Sequence, residues 1–423
     1  MTYERRILDE ELNALLPQLA AIAIEGPKAV GKTATAVQRA RTIYRLDDAA
    51  QAEVATADPG RLATGDEPIL IDEWQRLSSS WDVVRRAVDA DSRPGRFLLT
   101  GSASPISPPT HSGAGRIVRV RMRPLSLAER GVARPTVPLG RMLEGPGSSI
   151  QGETSLDLTG YAEEIVRSGF PGMRMLNGRA LRSQLDGYID RIVDHDFEEM
   201  GQRVRRPATL RRWLTAYAAA TATTSTIEAI RDAATSNEGD KPTRATVLSY
   251  REVLSRLWVL DPVPAWGPTR NHLSRLAYPE KHHIADPALA ARLLGIDRAG
   301  LIEGREGAAT IPRDGTLLGH LFESLVTQSV RVYAQANEAS VKHLRTKGGR
   351  QEIDLIVERA DGRVVALEVK LTRTVADHDV RHLLWLKRQI GQDLLDAAIL
   401  TTGPSAYRRT DGVAVIPAAL LGP

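Results

Sequence analysis

Short apolar runs separated by polar, helix-compatible segments fill the first third of the chain. Ala21-Ile22-Ala23-Ile24-Glu25 precedes a glycine-containing turn, and residues 33–42 (TATAVQRART) read as the helix that follows it. Thr42 to Leu46 predicts a second strand, Pro68 to Asp72 a third and Arg96 to Thr100 a fourth, and Ile117 to Met122 alternates as a further strand. Brief apolar strands between helices imply a parallel sheet covered on both faces. Residues 131–160 are rich in Gly, Pro and Ser and read as a linker. From 161 to about 300 the pattern is mostly helical, with apolar residues near helical spacing over 243–260. Residues 301–315 read as loop. The last stretch is mixed: a helix over 317–335, strands near 353–357 and 364–371, a helix over 377–392 and a strand near 396–401. The expected fold class is α/β, with a parallel-sheet domain over 1–130, a linker over 131–160, a helical middle over 161–300 and a second α/β domain over 301–423.

Composition narrows the chemistry. The chain has 423 residues, 42% of them hydrophobic, enough for real cores in two or three domains. It has no cysteine, which excludes disulfides, thiolate metal sites and a thiol nucleophile. Acids interrupt the N-terminal MTYERRILDEELNALL, so it does not read as a signal peptide. No apolar run approaches the roughly 20 residues that span a bilayer, and the expectation is a soluble, cytoplasmic protein with no membrane partner. The formal charge of +4 and the pI of about 9.3 are mildly basic, less than a nucleic-acid-coating protein would carry.

The turn after the first strand reads Gly26-Pro27-Lys28-Ala29-Val30-Gly31-Lys32-Thr33 and fits the G-x4-G-K-[ST] pattern at every fixed position. Such a P-loop turns backbone N–H groups toward phosphate oxygens. Its lysine, Lys32, would reach the β- and γ-phosphates of ATP, and the Thr33 hydroxyl would ligate Mg2+. Asp72-Glu73 ends the third strand, where Asp72 suits a second Mg2+ anchor and Glu73 could polarise the attacking water. Thr100, at the end of the fourth strand, could sense the γ-phosphate, although a tight turn explains Thr100-Gly101-Ser102 nearly as well. Arg116 could supply cationic charge to the transferring phosphoryl group, in the same chain or in a neighbouring subunit.

A second constellation lies near the C-terminus. Glu323 sits in the helical run LLGHLFESLV, Asp354 in EIDLIV, and Glu368 and Lys370 two apart in ALEVKL, so on a strand the last two leave the same face. Two carboxylates and a lysine on adjacent strands can hold a divalent cation and orient a hydrolytic water. An outward-facing alternation of charge on an edge strand is the plainer reading of any one of them. His282-His283 reads as a polar strand start, because no further ligands follow at metal-binding spacing.

These motifs carry resemblances. YRLDD (44–48), PILIDEWQRL (68–77), FLLTGSAS (97–104), Gly115-Arg116 and RPLSLAE (123–129) resemble the AAA+-related ATPase domain common in bacteria and archaea. That implies an AAA+-like core with Asp72-Glu73 as its acidic motif and ATP and Mg2+ as its ligands; the usual small lid domain is not obvious. The order helix Glu, Asp, Glu-x-Lys resembles the core of the PD-(D/E)xK nuclease superfamily. It implies a restriction-endonuclease-like fold with Asp354 and Glu368 as metal ligands, Lys370 positioning the water and Glu323 assisting; the Pro of the motif name is absent, and Ile353 stands before Asp354. SGFP (168–171), DPALAARLLG (286–295), GHLFESLV (319–326) and the run from His343 to Lys370 resemble the domain of unknown function fused to this ATPase type. The middle's helices and short strands are consistent with a winged-helix-like module. The functions expected are ATP hydrolysis coupled to DNA or RNA, nuclease activity in the tail, or a nucleotide-gated module that binds nucleic acid or a partner protein through an inactive nuclease-like domain. Oligomers are compatible with each.

Overall fold

A computed structural model describes residues 3–102, 113–202, 204, 206–235, 241–267, 278–303 and 315–423. Ala103-Ser104, at the end of one resembling run, and most of the loop expected over 301–315 lie outside the described residues.

The N-terminal sheet has five parallel strands in the order β2 (Thr42–Arg45), β3 (Ile69–Asp72), β4 (Phe97–Gly101), β1 (Ala21–Glu25), β5 (Ile117–Arg121). Alternation gives the three central strands, β1, β3 and β4, two buried faces. Ile22, Ile24, Leu70 and Leu98 join one core, and Ala23, Ile71, Phe97 and Leu99 the other. Because β4 is inserted between β1 and β3, Thr100 lies level with both Ile24 and Asp72. The helix after the glycine turn is Lys32–Val37, shorter than the expected 33–42. The N–H groups of Arg39 and Ala40 both turn onto the Ala36 carbonyl as the chain leaves for β2.

Residues 131–160 are built into the body of the protein. The two-residue strand β6 (Val137–Pro138) is followed by the helix Leu139–Glu144, whose Leu139, Met142 and Leu143 are buried. The strand β7 (Gly152–Glu153) pairs with the far end of the C-terminal sheet. The Gly and Pro residues that suggested a linker instead supply the turns between short, docked pieces.

The middle is a set of helices, among them Leu158–Val166, Gly178–Arg191, Pro207–Ala219 and Arg244–Arg256. Near its end, 259–263 and 281–285 pair antiparallel through isolated bridges, Leu260 with Ile284 and Val263 with Lys281. The two-residue strand β8 (Ala265–Trp266) pairs with the sheet of the tail. That sheet has eight strands in the order β7, β13 (Ser405–Arg408), β14 (Ala414–Pro417), β12 (Leu394–Thr401), β11 (Val364–Lys370), β10 (Glu352–Glu358), β9 (Ser340–Arg345), β8. The helix Gly315–Ala336 covers one face, over Leu355, Val357, Val365 and Leu367, and the helix Arg381–Ile390 covers the other, over Ile356, Val364 and Ala366.

The long helix joins the parts. Ser329 Oγ and Tyr333 Oη accept the N–H groups of Leu127 and Ala128 from the end of the first domain. Buried Asp261, at the end of the middle, receives Arg121, Arg123 and Arg331 at 2.9–3.0 Å. Those three guanidinium groups outweigh its burial and hold its carboxyl far below the usual range.

Candidate nucleotide site and the carboxylate cluster of the tail

The glycine turn joins the C-terminal end of β1 to the helix Lys32–Val37. Gly26 has φ 155°, and a Cβ there would stand 2.2 Å from the Met122 carbonyl oxygen. Gly31 has φ 104°. Both positions therefore need glycine on backbone grounds. Ala29 also has positive φ, at 64°. The turn is braced from behind by Arg6, which is 5% exposed. Its guanidinium donates to the Val30 carbonyl at 2.9 Å and to the Arg123 carbonyl at 2.8 Å, and it pairs with Glu129 at 2.9 Å.

Lys32 folds back over the turn and donates to the Gly26 and Pro27 carbonyls at 2.9 and 2.8 Å. Burial pulls its ammonium down to about 8, although Glu73 and Asp72 oppose the shift. Thr33 Oγ1 donates to Asp72 Oδ1 at 2.7 Å, and Thr100 Oγ1 donates to the same oxygen. Glu73 follows in the left-handed region at φ 55°, ψ 41°, a conformation that stores strain in a non-glycine residue and recurs at functional sites. Its carboxylate accepts from Gln75 Nε2 and, at 3.2 Å, from Ser102 Oγ. Six of the expected residues, Gly26, Gly31, Lys32, Thr33, Asp72 and Thr100, thus meet with Glu73 at one end of the sheet.

Of these, Gly31, Lys32, Thr33 and Glu73 border a cleft of about 860 Å³ whose far wall belongs to the middle segment: Pro171, Gly172, Arg191, Glu199, Met200 and Leu257. Lys28 crosses between the walls, with Nζ 2.6 Å from Asp196 Oδ1 and 2.8 Å from Glu199 Oε2. Asp196 ends a π-helical turn, Ile192–Asp196, inserted after the helix Gly178–Arg191, and such turns often mark functional positions. Sequence reading gave Lys28 only as one of the loop's variable residues. It missed Arg191, Asp196 and Glu199 because nothing local in an Arg-rich helix points at a turn 160 residues away.

Arg116 is a correction. It precedes β5, and β5 runs parallel to β1, so Arg116 stands at the opposite end of the sheet from the glycine turn. Its Nε donates to Asp89 Oδ1 at 2.8 Å and its Nη1 to the Ala114 carbonyl. The strand direction that puts Asp72 at the cleft puts Arg116 away from it, and within one chain it cannot reach the phosphates.

In the tail, Glu323, Asp354, Glu368 and Lys370 also converge, but not as expected. Lys281 enters from the end of the middle segment, where it forms an isolated antiparallel bridge with Val263. Its side chain is 1% exposed, and Nζ lies 2.8 Å from Glu323 Oε1, 3.0 Å from Asp354 Oδ1 and 3.6 Å from Glu352 Oε1. Burial lowers its basicity, but Glu323, Asp354 and Glu352 outweigh burial and hold the ammonium above its ordinary value. Asp354 Oδ2 accepts the Val369 N–H at 2.9 Å. The register break between Ile353 and Ile356 falls on this residue, as bulges often do beside functional side chains. Lys370 Nζ donates to Glu368 Oε1 at 2.8 Å. Burial, with Asp354 adding to it, pushes the Glu323 and Glu368 carboxyls up, while Lys281 and Lys370 oppose the shift. Glu368 Oε2 is buried without a hydrogen-bond partner among the described residues. No group of three His, Asp or Glu among those residues is arranged to hold a metal ion.

His282 and His283 are buried structural residues. The first contacts the Ser225 carbonyl and Tyr217 Oη, the second Ser324 Oγ. Sequence reading missed Lys281 because it looked for the cluster's members after residue 301. The available signal was a scarce lysine immediately before His282-His283.

The N-terminal domain is thus of P-loop ATPase type, and comparison with known proteins agrees: residues 18–130 match the family described as AAA domain. Residues 158–300 and 318–421 match two families described as Domain of unknown function, DUF8612 and DUF4143. The stretch read from sequence as one family domain is therefore two. Uncharacterized proteins of Mycobacterium bovis and Mycobacterium tuberculosis are each 26% identical over 429 aligned residues, which span 99% of this chain and 84% of the relative. A Walker-type ATPase of Pyrococcus abyssi aligns with 16% identity and a TM-score of 0.41 over 69% of this chain and 96% of its own. No helix among the described residues is long and apolar enough to cross a membrane.

Proposed function

We propose that the chain is a Mg2+-dependent ATPase whose nucleotide state is transmitted from the glycine turn to the middle helices and on to the tail. The observation that carries this reading is the meeting of Lys32, Thr33, Asp72, Glu73 and Thr100 beside an open cleft that Lys32, Thr33 and Glu73 line. The donor set fits Mg2+: a hydroxyl and a carboxylate, both hard oxygen ligands, lie within hydrogen-bond distance of each other. Bound with ATP, the ion would neutralise charge on the phosphate oxygens. Thr33 and Asp72 would hold it. Lys32 would leave the Gly26 and Pro27 carbonyls for the β- and γ-phosphates. Glu73 would orient the attacking water, and Thr100 would hold the Asp72 carboxylate beside Thr33.

Coupling starts at Lys28. Phosphates arriving at the turn compete with Asp196 and Glu199 for its ammonium, so nucleotide loosens or redirects the contact between the two walls of the cleft. Arg6–Glu129 and the Arg121, Arg123, Arg331 cluster on Asp261 extend the path to the long helix of the tail. The tail would then engage DNA, RNA or a partner protein in an ATP-dependent way, and the mildly basic balance favours nucleic acid. The test is phosphate release with Mg2+ by the wild type and Lys32→Ala. Loss of about 100-fold or more is expected, and equal turnover would overturn the ATPase reading.

A further inference from the structure

The nuclease resemblance implies a divalent ion among Glu323, Asp354 and Glu368. Such an ion needs several of their oxygens around one point at about 2.0–2.6 Å, together with water-filled positions where chemistry happens. In this protein the central point belongs to Lys281 Nζ. It lies at hydrogen-bond distance from Glu323 Oε1 and Asp354 Oδ1 and close to Glu352 Oε1. The second Asp354 oxygen is held by the Val369 N–H, and Glu368 Oε1 is held by Lys370. Two of the six oxygens are left over, Glu323 Oε2 and Glu368 Oε2, too few to enclose a divalent ion that takes six or more oxygen ligands, and the first belongs to a carboxyl that Lys281 already holds.

The two cations exclude each other. An ammonium within 3.0 Å of the oxygens a metal would use repels that metal through a medium of low effective dielectric. The lysine also has little room to withdraw, because its side chain is 1% exposed and its backbone is bonded to Val263 in both directions, at 2.9 Å each way. An ammonium meets the carboxylates as a metal would, with charge and direction. It cannot ligate a water and turn it into hydroxide. The residues present therefore do not fit the metal that the resemblance implies.

We infer that Lys281 is the permanent cation of this cluster, and that the tail keeps the nuclease-like scaffold without binding a catalytic divalent ion or cleaving a phosphodiester. This concerns the tail alone and holds whether or not the glycine turn hydrolyses ATP.

The test is Mn2+ binding to the full chain without nucleotide, followed by the resonance of free manganese, in the wild type and in Asp354→Asn. Any manganese held at Asp72 is common to both and cancels. The expected result is superposable isotherms, with no Mn2+-dependent cleavage of DNA or RNA by either protein. In Lys281→Met the vacated cluster should gain a manganese site. That site would be read as a melting temperature raised by about 2 °C or more on adding Mn2+, a gain lost again in Lys281→Met/Asp354→Asn. A wild-type site that disappears in Asp354→Asn overturns the inference, and so does a folded Lys281→Met that takes up no manganese. Should Lys281→Met fail to fold, the wild-type and Asp354→Asn pair decides alone.

Discussion

The two clusters use nearly the same parts. Each has a buried lysine beside two acidic residues. In the first, Lys32 rests on two backbone carbonyls and borders an open cleft, and its own acids are bonded to hydroxyl groups. In the second, Lys281 is sealed among the acids themselves. A carbonyl is a weak partner for an ammonium, and phosphate displaces it readily. A pair of buried carboxylates is a strong partner, and nothing from solvent displaces it without exposing charge. Burial pulls Lys32 below its ordinary value, whereas the acids around Lys281 outweigh burial and hold it above. One lysine rests on backbone carbonyls beside an open cleft, and the other rests on carboxyl groups inside the fold.

The comparison breaks most readily at Lys281. Lys281→Met should destabilise the fold by about 3–5 kcal/mol, because it strands buried carboxylates, whereas Lys32→Met should stay within about 1 kcal/mol of wild type, since it removes only bonds to carbonyls. Urea unfolding of the two variants at equal m-value measures both, and equal destabilisation would erase the distinction drawn here.

A pH series sharpens it next. Below about 8 the free Lys32 carries its proton and can meet phosphate. As pH rises through 8 toward 10.5, the free lysine loses its proton, while phosphate would retain it in the complex. ATP affinity should therefore fall up to about tenfold per pH unit in that window, with proton uptake visible when titrations are repeated in buffers of different ionisation enthalpy. The folded state shows the opposite sign: a lysine depressed by burial costs stability at low pH, and the cost fades as pH climbs through the same window. Affinity that is flat from pH 7 to 9.5 would mean that Lys32 does not contact the phosphates.

Smaller effects follow at the cleft's far wall. Lys28 is partly exposed, so its pairs with Asp196 and Glu199 should contribute no more than about 1 kcal/mol. Lys28→Ala should leave stability nearly unchanged while shifting the response of the tail to nucleotide, which amide hydrogen exchange in Ile192–Asp196 with and without ATP would register. Arg116→Ala should change turnover by less than about twofold in a monomeric preparation, because its partner is Asp89 at the other end of the sheet. A large loss confined to conditions of self-association would revive its role in a neighbouring subunit.

Much of the first site was legible in the chain. The glycine turn, the acid pair after an apolar strand and the threonine at the end of the next strand are short-range signals, and a parallel sheet with that strand inserted between the other two brings such strand ends to one edge by construction. The helix and hairpin that carry Glu323, Asp354, Glu368 and Lys370 were legible for the same reason. What was not legible came from elsewhere in the chain. Arg6 reaches the turn from before the first strand, Asp196 and Glu199 face Lys28 from about 170 positions on, and Lys281 crosses from the middle segment into the tail. The linker expected over 131–160 failed for a related reason. Its Gly and Pro mark turns, and turn chemistry does not say whether the pieces between them dock.

The most direct measurement takes the water-orienting role of Glu73, with ATP binding and phosphate release followed side by side in the wild type and Glu73→Gln in the presence of Mg2+. Binding within about twofold of wild type and turnover lower by about 100-fold or more is the predicted outcome. Turnover by Glu73→Gln equal to that of wild type would contradict the assignment of hydrolysis to this cleft.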